Sequence, residues 1–475
     1  MEHLISVDLG GSKVTVALGK LSLNDEIIVV DAVSKPMDGF TRGEVTNIEH
    51  VTTAIRDAIA ELESRQGVKV DDVWVSVSGR HIVSADNSGF VYVGGADGEI
   101  TERDVEKLHE NMNNVQAPEG KVILSRIPQN YKVDANETLG SPVGRFGRRL
   151  ETTFSFVLAG KVALERIGKA FQRAGVERTH FVAGAMASAE IVASEEEKES
   201  GVIVIDLGAG ATDLCIIQNN IVRYVASIPV GSAAINNDIR STAIPAGMIE
   251  KLKTKCGYAT ASAIPADKLN SSVRINARSP HQRNKEITYR DLATIIEARM
   301  LDIVEFVNSE IRASGYHNRL PGGIILTGGG SRLAGVEILF KERTGYDVRL
   351  GAAEGDISAE SMEGTSAPEL ATAIGLLSLG IRESDITPSA YSRQSEEAQL
   401  PAEESTATEP TVAAEPATTT QRPQEVETPE ENKEPEEQPT KNGKKGGKKG
   451  NFFGKMAKWL NDTVFGGDVV DDEMQ

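Results

Sequence analysis

Val202-Ile203-Val204-Ile205-Asp206-Leu207-Gly208-Ala209-Gly210-Ala211-Thr212-Asp213-Leu214 begins with four β-branched residues. Such a run marks a buried strand; it breaks at an aspartate and two glycines and resumes as Leu214-Cys215-Ile216-Ile217, a second apolar strand. The pattern predicts a hairpin with a glycine-lined tip. Glycine lets main-chain N–H groups approach an anion, and an aspartate at a strand end can hold a hydrated divalent cation beside it. Such a tip suits the phosphates of a magnesium nucleotide. An ordinary tight turn with no ligand is the plainer alternative.

A second copy lies near the amino terminus. Leu4-Ile5-Ser6-Val7-Asp8-Leu9-Gly10-Gly11-Ser12-Lys13-Val14-Thr15-Val16-Ala17-Leu18 repeats strand, Asp-Leu-Gly, small-residue tip and strand. A repeat with acid and glycine in register implies two homologous halves, so two hairpins would grip a polyphosphate from both sides. A third element, Gly323-Ile324-Ile325-Leu326-Thr327-Gly328-Gly329-Gly330-Ser331, is another buried strand running into three glycines. Close backbone approach to a flat base or ribose needs such a run.

In this order the three elements resemble the actin, Hsp70 and sugar-kinase superfamily, which binds ATP with Mg²⁺ between two α/β domains. The resemblance implies that Asp8 and Asp206 hold Mg²⁺ through water. It places Gly10, Gly11, Ser12 and Lys13 in the first phosphate loop and Gly208, Gly210 and Thr212 in the second. Gly231, Gly328, Gly329, Gly330 and Ser331 fall in the nucleotide-binding positions that follow. Glu250 and Lys253, three apart on a helix face before Gly257, look like the superfamily's contact to ribose and base. The same pair could be an exposed ion pair at i,i+3 spacing.

The chain has 475 residues and 39% hydrophobic residues, enough for two or three folded units. Its formal charge of −19 is uneven: residues 383–440 carry 15 acidic and 3 basic side chains, and residues 441–475 carry 7 basic and 5 acidic. The first 382 residues therefore carry −9, which disfavours nucleic acid as a partner because phosphate contacts need a basic face. Cys215 and Cys256 are too few for a disulfide framework and read as buried thiols of a reducing cytoplasm. Neither a signal peptide nor a stretch of about 18 apolar residues is legible, so an intracellular chain is expected.

In chain order, a strand is expected over Glu26–Ala32, then a helix from Asn47 to Gln66 with Val51, Ile55, Ile59 and Leu62 on one face, then a strand from Val73 towards Gly79. Residues 80–160 form an insertion, with strands expected over Ser88–Val93 and Val122–Arg126, a separate segment from Pro128, and a helix starting near Ile100. Here Val77-Ser78-Gly79-Arg80-His81-Ile82, Gly98-Glu99-Ile100-Thr101, Ile127-Pro128-Gln129-Asn130-Tyr131 and Pro142-Val143-Gly144-Arg145-Phe146-Gly147-Arg148-Arg149-Leu150 are similar to motifs of the bacterial FtsA cell-division family.

The resemblance implies an α/β, actin-like two-domain fold. Subdomain 1A would span 1–82 and 161–199, 1C 83–160, 2A 200–235 and 320–382, and 2B 236–319. It also implies filament formation, recruitment of later division proteins through the 1C-like module, and attachment of the tubulin-like FtsZ ring to the cytoplasmic face of the inner membrane at the septum. Helices Val162–Ala174, with Leu164, Ile167, Ala170 and Phe171 on one face, and Met186–Val192 precede the second hairpin. A last connecting helix is expected from Ala371, its small residues permitting close packing.

The region before that hairpin, Ala183-Gly184-Ala185-Met186-Ala187-Ser188-Ala189, lacks the carboxylate or amide with which strong hydrolases of the superfamily orient water. A missing base removes roughly 10²–10⁴ in rate, so at most a slow ATPase is expected, with nucleotide acting as a switch for assembly.

Residues 383–450 change to Glu, Pro, Thr and Ala and then to a lysine-glycine run, the composition of a tether too polar to fold. At its end, with ~100° per residue, Phe452, Phe453, Met456, Trp459, Leu460 and Val464 share one face of a helix over 451–467. Lys455 and Lys458 lie opposite. Aromatics opposite lysines after a polybasic run describe an in-plane anchor on anionic membrane lipid. A soluble sugar-kinase-like phosphotransferase is the alternative, which the missing base and the anchor disfavour. An Hsp70-like chaperone would need a β-rich domain after residue 382.

Overall fold

The computed structural model describes residues 3–384, apart from 23–25, 96, 139, 276–283 and 356. The tether and the amphipathic helix, with Phe452 to Val464, lie outside the described residues. The first half comprises strands β1 (Leu4–Leu9), β2 (Lys13–Leu21), β3 (Ile27–Pro36), β4 (Phe40–Thr41) and β5 (Glu44–Val45), helix α1 (Ile48–Gln66) and strand β6 (Asp72–Val77). Next comes an inserted module of β7 (Val83–Tyr92), α2 (Glu102–Asn113), β8 (Lys121–Val133), β9 (Asn136–Thr138) and β10 (Arg149–Gly160). The chain returns through α3 (Lys161–Ala174), β11 (Arg178–Ala183), α4 (Gly184–Val192) and α5 (Glu195–Ser200).

The second half is β12 (Val202–Leu207), β13 (Thr212–Gln218), β14 (Ile221–Ile228), α6 (Ala233–Arg240), α7 (Ala246–Cys256), β15 (Ser272–Ile275), β16 (Lys285–Thr288), α8 (Tyr289–Ala313), β17 (Ile324–Thr327), α9 (Val336–Thr344), β18 (Val348–Leu350) and α10 (Ala371–Ser384).

The repeat read from the sequence is a repeat of topology. One sheet runs β11-β6-β1-β2-β3, and the other, β18-β17-β12-β13-β14, has the same order. In each, a central strand pairs antiparallel with its hairpin mate and parallel with a strand arriving from a helical crossover. Asp8 faces Thr15 across the first hairpin, and Asp206 faces Asp213 across the second. Val202 to Ile205 are all buried, as a strand covered on both faces requires.

Helix α1 starts where expected because Asn47 Oδ1 accepts from the N–H groups of Glu49 and His50, and it stops at Gly67 in the left-handed region. Its buried face is Val51, Ile55, Ile59 and Leu62. Leu164, Ile167, Ala170 and Phe171 are the buried face of α3.

The inserted module is a sheet in the order β7-β10-β8-β9 with α2 on one face. Its strands are longer than the sequence suggests. β7 starts at Val83, and β8 runs unbroken through Pro128, because Pro128 lies beside a register shift between Thr152 and Phe154 of β10. A proline without an N–H is tolerated at such a bulge.

The last helix, α10, returns to the first half. Ser6 Oγ donates to Ala373 O (2.7 Å). A β-carbon on Gly375 would lie 1.7 Å from Ala187 O of α4, so these two helices cross nearly backbone to backbone. Cys215 is buried as expected, whereas Cys256 is not: it ends α7 half-buried, because a helix terminus leaves one side open. Among the described residues, no helix is long and apolar enough to cross a membrane.

Candidate functional site

Asp8 and Asp206 stand one residue before the ends of their strands, and both line a cavity of about 550 Å³. Each is held by a hydroxyl from another element. Ser76 Oγ, on β6, donates to Asp8 Oδ1 (2.7 Å) while accepting from Leu9 N (3.0 Å). Thr372 Oγ1, in the first turn of α10, donates to Asp206 Oδ2 (2.7 Å).

Burial pushes the Asp8 carboxyl above its ordinary value, with Ser76 and Lys13 acting against the rise. It pushes Asp206 up to about 6; the Asp8 charge adds to this, and Thr372 and Lys13 oppose it. Two enclosed carboxylates repelling one another present hard oxygen donors where a divalent cation would be stabilised. Among the described residues no group of three or more His, Cys, Asp or Glu is placed to hold a metal ion. Two carboxylates are few protein ligands for a divalent cation and leave its other positions to water, and Asp8 and Asp206 are the residues that would hold it.

The two hairpin tips are built alike. A β-carbon on Gly10 would lie 2.8 Å from Lys13 O, and one on Gly208 would lie 2.8 Å from Ala211 O. The tips also touch: a β-carbon on Gly11 would meet Gly210 N at 2.7 Å and Gly210 Cα at 2.8 Å. Gly10, Gly11, Ser12, Lys13 and Gly208 line the cavity. Gly210 sits behind, as the surface against which Gly11 packs. Thr212 is fully buried and its hydroxyl donates to Val230 O (2.8 Å), tying β13 to the end of β14 rather than facing the cavity. Gly231 packs on the second tip, where a β-carbon would lie 2.5 Å from Ala209 O.

Gly328, Gly329 and Gly330, which follow β17, also line the cavity. Gly328 has φ +81°, and a β-carbon there would fall 2.0 Å from Asp206 Oδ1. Ser331 does not line the cavity; its buried hydroxyl donates to Gly328 O (2.7 Å) and fixes the glycine turn. Glu250 and Lys253 of α7 form an ion pair (2.9 Å) in the cavity wall, Lys253 being buried, with Asn236 Nδ2 donating to Glu250 Oε2 (2.7 Å). Ile235, Met300, Ile303 and Leu333 add an apolar lining on which a flat ring can lie. Residues 183–189 are absent from the lining.

Several residues of the site carry no local signal in the sequence. Ser76 and Thr372 reach the carboxylates only through the fold, and Arg332 and Glu369, paired at 2.6 Å, also line the cavity. Asp213 was detectable, since it stands in the quoted hairpin directly across from Asp206. Burial raises its carboxyl well above the ordinary value, the charges of Asp206 and Asp8 adding to this and a hydrogen bond from Ser227 Oγ opposing it.

Folded-state values above the unfolded ones mean that the folded chain binds extra protons. The resulting stability is complete below about pH 4 and is lost as pH rises through the folded values, through about 6 for Asp206. Asp213→Asn should therefore raise the thermal midpoint of the nucleotide-free protein, with a gain that is larger at pH 7.5 than at pH 5. Melts at the two pH values check this, and a smaller gain at the higher pH contradicts it.

A family profile described as "Cell division protein FtsA" matches residues 203–375, and one described as "SHS2 domain inserted in FTSA" matches residues 79–158, the inserted module. A solved structure described as "PilM-PilN type IV pilus biogenesis complex" has a TM-score of 0.55 at 16% identity, over 80% of this chain and 98% of that one, a likeness of fold. The cell division protein FtsA of Neisseria meningitidis is 31% identical over 383 residues, covering 79% of this chain and 90% of the relative. That of Pseudomonas aeruginosa is 30% identical over 407 residues, covering 84% of this chain and 95% of the relative. With a duplicated actin-like α/β fold and such identity over nearly the whole of its relatives, the chain belongs to the FtsA family of cell-division proteins.

Proposed function

We propose that the chain binds ATP with Mg²⁺ in the cavity between its two hairpins, polymerises in that state on the cytoplasmic face of the inner membrane, and anchors the FtsZ ring there. The observation that carries the reading is the pair of hydroxyl-held carboxylates, Asp8 and Asp206, below two glycine tips in backbone contact. The cation would supply charge neutralisation for the phosphates. The chain supplies the rest: Lys13 and the tip N–H groups face the phosphates, Glu250, Lys253 and the Gly328–Gly330 turn face the ribose and base, and Asp8 and Asp206 orient the cation's water.

Residues 183–189 carry no carboxylate or amide side chain and do not line the cavity, which supports slow hydrolysis and a switching role for the nucleotide. The subdomain limits given above belong to the same proposal, as do recruitment of later division proteins by residues 83–160 and attachment to anionic lipid by residues 451–467. A single helix of this kind holds a membrane weakly, and many in a filament hold it firmly.

Co-sedimentation with anionic liposomes tests the reading. With ATP and Mg²⁺ the intact chain should pellet, Trp459→Glu should pellet about tenfold less, one 1.4 kcal/mol step, and Asp206→Asn should lose the ATP dependence. Equal pelleting of all three proteins would overturn the membrane and switch reading together. Rapid steady-state phosphate release would overturn the slow-hydrolysis part.

A further inference from the structure

Where the inserted module leaves and rejoins the first half, the chain passes one place twice, outward at Arg80–His81 and back at Gly160–Ala163. Between these passes lies a cavity of about 370 Å³, whose lining includes Glu44, Arg80, His81, Lys121, Val162 and Arg166. It shares no residue with the nucleotide cavity.

The balance of charge there is positive. Glu44 is engaged by Arg80 Nε (3.1 Å), and among the described residues Lys121 and Arg166 have no carboxylate partner. Lys121 Nζ donates to His81 O (3.3 Å), which keeps its charge at the cavity wall.

Helix α3, 14 residues long, begins in this wall. Its N-cap is Gly160, no side chain caps it and its first turn holds no acid. A helix start leaves N–H groups unbonded and carries partial positive charge. Lys161 N is taken by Gly120 O (3.0 Å), and Val162 and Ala163, the next two residues, line the cavity.

His81 is the independent observation. It is only 9% exposed, and neither ring nitrogen has a hydrogen-bond partner among the described residues. A buried polar group left unbonded is costly and rare. The ring lies against the helix start, where a β-carbon on Gly160 would come 3.1 Å from His81 Cβ.

We infer that this cavity is a site for a tetrahedral oxyanion, phosphate or a phosphomonoester, bound by the first-turn N–H groups of α3 with Lys121, Arg166 and His81 around it. Helix starts bind such anions through main-chain donors, and the surrounding cations set the charge of the ligand. Burial pushes the His81 imidazole down to about 4, with Glu44 opposing and Lys121 and Arg80 adding to the shift. A bound anion acts in Glu44's direction and moves the ring towards its protonated form.

Ring-¹³C-labelled histidine gives signals from seven residues in the full-length chain, and His81→Gln identifies the one that matters. Inorganic phosphate should shift the His81 signal saturably at pH 6, towards the imidazolium position, whereas chloride at equal ionic strength should not. Lys121→Glu with Arg166→Glu should weaken that binding at least ~tenfold at an unchanged thermal midpoint. Phosphoserine binding more tightly than phosphate names a phosphorylated side chain as the source, and weaker binding names the free anion; either supports the site. A shift that follows ionic strength alone, or is equal in the charge-reversed protein, overturns it.

Discussion

Gly11→Val protein should fold with a thermal midpoint within about 3 °C of the original and bind ATP at least ~100-fold more weakly, about 2.8 kcal/mol. The reason is a contact between two backbones. A β-carbon on Gly11 would lie 2.7 Å from Gly210 N and 2.8 Å from Gly210 Cα, and main chain cannot swing aside as a side-chain end can. The contact is at hairpin tips, away from the buried strands, so the cost falls on the spacing of the tips and not on the two sheets. Spread tips would no longer bring N–H groups of both loops to one polyphosphate, and pre-aligned donors are worth most when the geometry is kept. Fluorescent-nucleotide titration with paired melts measures both halves of the statement. An affinity within threefold of the original would show that the tips do not act together.

The second large effect is expected at Gly375. Gly375→Ala places a methyl 1.7 Å from Ala187 O and 2.5 Å from Ala187 C, inside the crossing of α10 and α4. Overpacking of this kind ordinarily costs 1–3 kcal/mol, and here main chain rather than side chain must move, so about 4 kcal/mol is expected. In urea the unfolding midpoint should fall with an unchanged slope. Because α10 also carries Thr372 to Asp206, the same protein should bind ATP less well, although residue 375 lies outside the cavity lining. A loss of unfolding free energy under about 1 kcal/mol would mean that the helices slide apart freely.

Much of this was legible in the chain. Asp8 and Asp206 with their glycines announce the two hairpins because strand, acid and tip are local events, readable from period and turn chemistry. The capped start of α1 at Asn47 is of the same kind. What stayed hidden is what folding brings from afar. Ser76 lies 68 residues from the carboxylate it holds, and Thr372 lies 166 from Asp206. Nothing near a lone serine or threonine announces such a partner.

Thr212 and Ser331 show the converse. Their position beside a glycine loop suggests ligand contact, but each hydroxyl is taken by a main-chain carbonyl, Ser331 by Gly328 of its own turn and Thr212 by Val230 beyond β14. The segment from Pro128, expected beyond the Val122–Arg126 strand, instead continues it, because the bulge opposite accommodates a proline.

The placement of α10 bears on how the molecule is made. Residues from the two ends of the described chain meet in the first sheet: Ser6 bonds Ala373, Met362 N donates to Val29 O (2.9 Å), and Gly19 lies under Leu377. A ribosome adding roughly 5–20 residues per second leaves the nascent β1–β2–β3 ribbon without that lid for roughly twenty seconds to more than a minute. Through that interval its apolar face is open to chaperones and to neighbouring nascent chains, and arrival of the 371–384 segment is the event that ends the exposure.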